Sequence, residues 1–66
     1  MKVQEVEIIY DDAAEVFTVI DDQGVASEDI FSVIDVADIL NNVYGITVTD
    51  ETIKNITLLK IGQEAN

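Results

Sequence analysis

Four adjacent carboxylate pairs stand out in this chain: Asp11-Asp12, Asp21-Asp22, Glu28-Asp29 and Asp50-Glu51. Two carboxyls can share acid–base work when one is buried, which raises its pKa, while the other stays solvated. Neighbours in a turn or at a helix end both stay solvated, so turn building and capping are the chemistry these pairs support. The run Asp21-Asp22-Gln23-Gly24, continued to Glu28-Asp29, also suggests a calcium loop. An EF-hand places Gly at its sixth position and Glu at its twelfth, whereas here they come fourth and eighth. The chain has no Cys and no His. That removes thiol catalysis, Cys-ligated zinc, and both the commonest general base and the commonest metal ligand. The expectation is a protein that is not an enzyme, with no catalytic residues, no metal and no cofactor.

What remains is charge. Fourteen Asp and Glu face three Lys in 66 residues, for a formal net charge of −11. From Val3 to Ile53 the sequence contains no cationic side chain. Direct nucleic-acid binding is excluded, because phosphate neutralisation needs clustered Lys and Arg. Binding at a membrane surface fails on the same sign, since interfacial helices carry cations towards anionic headgroups. There is no basic segment leading into an apolar run and no run long enough to span a bilayer, so a cytoplasmic location is expected. The 48% hydrophobic content argues for a folded chain, read as a single domain over residues 1–66.

The elements that position the acids follow from periodicity. Val3–Tyr10 and Glu15–Ile20 read as the strands of an N-terminal hairpin, with Asp11-Asp12-Ala13-Ala14 as the turn. Ile9, Phe17 and Val19 fall opposite Val6, Ile8 and Tyr10 in this reading, which gives the hairpin two apolar faces. Asp21-Asp22-Gln23-Gly24 is a second turn. Ser27 reads as an N-cap, with Glu28 and Asp29 in the first turn of a helix over about 27–44 that stops at Gly45. Apolar residues recur through it at helical spacing, and Phe31, Val36 and Val43 widen that face. Glu28, Asp35 and Asp38 fall on its polar side. Residues 50–61 fit either a short helix or a strand. The β-branched run from Ile56 to Ile61 favours the strand, so the predicted class is α+β with a ββαβ order.

Domains this small bury only ~60% of their unfolded surface. With no staple available, a homodimer is expected, with Phe31, Val36, Val43, Tyr44 and Phe17 at its seam.

From Val36 to Ile61 the chain also resembles the second half of acyl carrier proteins. The residues that carry the likeness are Tyr44-Gly45-Ile46-Thr47-Val48-Thr49-Asp50-Glu51, then Lys54, Ile56 and Thr57. The resemblance implies a helix, a loop and a short helix here. The carrier's Asp-Ser-Leu would fall on Asp29-Ile30-Phe31. No serine is present to bear phosphopantetheine, and Ser27 and Ser32 are out of register, so the likeness implies at most a degenerate carrier-like domain.

In size and charge the chain resembles a different class, the small acidic phage-encoded proteins that imitate DNA. That resemblance implies binding to the nucleic-acid-binding surface of a basic host protein, in the host cytoplasm if the chain is phage-encoded. A histone-like nucleoid-associated protein is the first candidate, followed by RNA polymerase or a nuclease. Glu28, Asp35, Asp38, Asp11, Asp12, Asp21 and Asp22 are the expected contact residues. The alternative is an acidic interaction module of the antitoxin or adaptor kind, which recognises its partner through an apolar patch.

Overall fold

The computed structural model describes residues 1–62. The chain is α+β, with β1 (Lys2–Val3), β2 (Val6–Asp11), β3 (Val16–Ile20), β4 (Ala26–Ile30), α1 (Val33–Asn42) and α2 (Asp50–Lys60). The strands form one antiparallel sheet in the order β1-β2-β3-β4. Four strands and then two helices replace the expected ββαβ order, and each difference has a physical cause.

Val3–Tyr10 is not one strand. Gln4 takes a positive φ of 54° and turns the chain, so that Val3 pairs with Val6 and Lys2 with Glu7. In the next hairpin Ile8 faces Val19 and Tyr10 faces Phe17. Phe17 and Val19 therefore share a face with the first apolar set instead of opposing it. The Tyr10 and Phe17 rings lie 4.7 Å apart, a tilted contact of the kind that adds to plain burial.

The helix expected over 27–44 begins six residues later. Residues 26–30 form β4, pairing Ser27 with Val19 and Ile30 with Phe17 across a bulge, where Asp29 sits at φ 59°. A two-stranded hairpin would leave the hydrogen-bonding edge of β3 open, and pairing that edge outweighs the helical periodicity of this stretch. Ser32 is the true N-cap, its Oγ accepting from the Asp35 backbone N–H at 3.1 Å. The signal was legible: Ser32 has an acid three residues on, whereas Ser27 has Ile30 there. At the other end Gly45 turns the chain at φ 66°. The Ile46 N–H then reaches the Leu40 carbonyl at 2.9 Å, which pins Ile46 into the core.

The tail differs as well, since residues 50–60 are helical and no strand forms from 56 to 61. Thr49 and Thr52 make a reciprocal capping box. Asp50 and Glu51 sit at the N-terminal end of the helix dipole and Lys60 in the last turn, where each sign is favourable. Ile53, Ile56 and Leu59 recur at helical spacing, and Ile56 is fully buried. Capping and period together outweigh the β-branched content.

Both helices cover one sheet face. Val36, Leu40, Ile46 and Ile56 pack on Val6, Ile8, Phe17, Val19 and Ile30 to form the core. The other face carries Glu7, Ile9 and Asp11 opposite Ile20, Thr18 and Val16, and no described helix covers it. Ile56→Val should cost about 0.5–1.5 kcal/mol of stability in urea denaturation. Thr49→Ala should cost about 1 kcal/mol as a lost cap. A Thr49 variant as stable as the parent would remove the cap and with it the account of α2.

Candidate functional site

The acids divide by what they already do inside the fold. Asp11 closes the β2–β3 turn, its Oδ1 accepting from the backbone N–H groups of Ala13 and Ala14 at 2.9 and 3.2 Å. Asp21 closes the β3–β4 turn in the same way, accepting from Gln23 and Val25, each at 2.9 Å. These two of the predicted contact residues are structural first. Asp12, Asp22, Glu28, Asp35 and Asp38 are exposed, and their carboxylates accept no hydrogen bond among the described residues.

The sheet separates the turns. β3 runs between them, so Asp11-Asp12 and Asp21-Asp22 stand at opposite ends, ~17 Å apart at about 3.4 Å per residue. Glu5 joins Asp21 and Asp22 around a cleft of about 110 Å³ that Tyr44 and Ile46 also line. Glu15, which follows the first turn at φ 57°, joins Asp11 and Asp12 at the far end. It was missed in the sequence because it reads as the opening residue of a strand. The available signal was the Asp four residues earlier, whose carbonyl receives the Glu15 N–H at 2.7 Å.

Tyr10 reports the field at that end. Partial burial first, and then the carboxylates of Glu15, Asp12 and Asp11, push its phenol above the ordinary tyrosine range.

α1 joins the two ends. It starts just after Ile30, which pairs with Phe17, and its C-terminal end leads to Tyr44 and Ile46 beside Glu5 and Asp22. Asp35 and Asp38 lie along its outer face, one turn apart. Glu28 does not belong to that row. It sits on the edge strand β4, so the expected helical stripe of three acids becomes a strand acid followed by a helical pair.

The expected dimer seam also divides. Phe17 and Val36 are spent in the core with no exposed surface. Tyr44 is half-buried, while Phe31 and Val43 are exposed.

Among the described residues every acid except Glu7 and Asp21 is exposed, and no lysine pairs with a carboxylate. The ion pair present is that of the Met1 amino group with Glu7 Oε2 at 2.6 Å. No three carboxylates among the described residues converge closely enough to share a metal ion. No described helix is long and apolar enough to cross a membrane. The arrangement is a spread of negative charge over the surface, gathered at a pocket only where Glu5, Asp21 and Asp22 meet at the small cleft among the described residues. No family model, curated protein or solved structure matches this chain.

Titrating Tyr10 by ultraviolet absorbance in a Tyr44→Phe background should give a midpoint above about 10, the ordinary tyrosine value. Folding raises this pKa, so the folded state holds the proton more tightly. The associated stability is present below about pH 10 and is lost as pH climbs through and beyond it. Asp12→Asn with Glu15→Gln should lower the midpoint. An unmoved midpoint would mean that the acids at this end do not act together.

Proposed function

We propose that this protein imitates the charge of DNA and occupies the nucleic-acid-binding surface of a basic protein, blocking its access to DNA. The observation that carries the reading is the uncompensated spread of carboxylates. Eleven net charges on a body whose longest extent is 26 Å amount to ~0.4 per Å. Duplex DNA carries about one charge per 1.7 Å, or ~0.6 per Å. Asp35 and Asp38 are ~4.5 Å apart along the helix axis at 1.5 Å rise per residue, on the scale of phosphate spacing. The turn acids extend the row towards both ends of the sheet.

A partner that reads backbone charge without reading bases fits such a surface best, and a histone-like nucleoid-associated protein has that property. RNA polymerase and nucleases are the next candidates. The setting is the cytoplasm of the cell that holds the partner. Long-range attraction makes association fast and steeply salt-dependent. Self-association belongs to the same proposal in reduced form, since the core takes two of the five seam residues. Light scattering should read twice 7.3 kDa; a 7.3 kDa particle removes the dimer and leaves the charge argument standing.

The test is binding to a purified histone-like nucleoid-associated protein in the presence of competing duplex DNA. Duplex should displace the protein, and Asp35→Asn with Asp38→Asn should weaken binding roughly tenfold at low salt. The matched neutralisation Asp50→Asn with Glu51→Gln on α2 should cost less than about threefold. Failure of duplex to compete would sink the reading.

A further inference from the structure

Charge alone does not account for the most exposed apolar side chains. Phe31 and Ile34 are each 69% exposed, and both lie at the β4–α1 junction. Phe31 precedes the N-cap Ser32, a position where an apolar residue ordinarily packs against the fourth residue of the helix. That residue is Val36, which is fully buried in the core, while the Phe31 ring stays in solvent. Ile34 lies on the outer face of α1, beside Asp35 and one turn before Asp38. Glu28 and Asp29 lie in the edge strand, which ends at Ile30 just before Phe31. Asp35 leaves its carboxylate free: its backbone N–H donates to the Ser32 Oγ, and its side chain makes no return bond to Ser32.

We infer that Phe31 and Ile34 are the apolar anchors of a docking patch rimmed by Glu28, Asp29, Asp35 and Asp38. Its occupant is a basic, amphipathic segment of a protein partner, whose apolar side chains meet the two anchors while its Lys or Arg residues meet the rim. This deepens the proposed function and rests on it for the sign of the partner's charge.

Charge complementarity selects the occupant. The four rim residues are all acids, and no cationic side chain lies between Val3 and Ile53 in the sequence. A second copy docking here about a two-fold axis would set the same acids against themselves, so a seam between copies is left to Val43 and Tyr44 at the far end of α1 and excludes Phe31. Nucleic acid and anionic lipid are repelled for the same reason. A duplex has no counterpart to an exposed phenyl ring, so the anchors supply what imitation of phosphates lacks. Central apolar contacts ringed by polar groups carry most of the affinity in protein interfaces.

Two synthetic peptides of equal length and charge test the inference, one a Lys/Leu amphipathic helix and the other its Lys/Gln counterpart. The wild-type protein should bind the Lys/Leu peptide about tenfold or more tightly than the Lys/Gln peptide. Amide shifts should centre on residues 28–38. Phe31→Ser with Ile34→Ser should abolish the preference and leave Lys/Gln binding unchanged. Both sites are exposed, so the fold should tolerate the change. Asp35→Asn with Asp38→Asn should weaken both peptides. The inference is overturned if the wild type fails to discriminate or binds neither peptide, or if Phe31→Ser with Ile34→Ser keeps the preference. Shifts centred on Ile9, Thr18 and Ile20 would overturn it too, by placing the site on the open sheet face. Failure here while duplex still competes for the nucleoid protein leaves the imitation of DNA in place. Discrimination between the peptides without duplex competition keeps the patch and removes the imitation.

Discussion

Mutual repulsion among eleven net negative charges is the constraint to which the rest of the structure answers. It acts on a body with a radius of gyration of 10.8 Å, comparable with the screening length of about 10 Å at 0.1 M salt, so each charge feels its near neighbours at that salt and the whole set only as salt is lowered. The opposing force is a core of nine aliphatic and aromatic residues. Among the described residues that core holds no buried polar or charged side chain. No acid needs a buried partner, and none is drawn inward. The acids stay where solvent screens them, which keeps the repulsion tolerable and leaves the field available outside the molecule.

Some acids also contribute to folding. Asp11 and Asp21 each close a turn by accepting two backbone N–H groups. Asp50 and Glu51 lie at the favourable end of the α2 dipole. Such local roles offset part of the cost of accumulating like charge, because the backbone supplies positive partial charge in place of lysine. Asp35, in the first turn of α1, shares that role, while Asp38 and the acids on β4 take little part in it; all of them leave their carboxylates in solvent.

Charge and apolar surface answer different needs in recognition. A distributed field brings a cationic partner in quickly and at long range, yet it distinguishes poorly among basic proteins. Exposed apolar side chains, the role proposed for Phe31 and Ile34, act at contact distance, where shape and desolvation set residence time. Their place amid the Glu28-to-Asp38 acids puts exposed apolar surface and negative charge on one corner of the fold. Meanwhile the apolar faces of α1 and α2 are turned onto the sheet.

Local chemistry was legible in the sequence. The two Asp turns, the positive φ at Gly24, the stop at Gly45 and the exposure of nearly all the acids each follow from a few neighbouring residues, so composition and spacing were sufficient. The sequence also settled the sign of the field outside the molecule, since no fold can hide a charge of −11 without cations to pair it. Tertiary structure decided between elements that local signals left nearly balanced. Ser27–Ile30 has the periodicity of a helix start, yet it became β4 because β3 needed hydrogen bonds on its second edge. Ile56–Ile61 has strand-like composition, yet all but Ile61 went into α2 because a capped amphipathic helix could cover the sheet face that holds Phe17 and Val19. Register across the β2–β3 hairpin placed Phe17 in the core, and packing of α1 placed Val36 beside it. The same packing left Phe31 and Ile34 outside. Which apolar residues are buried depends on pairing between segments distant in the chain, and single-residue patterns do not encode that pairing.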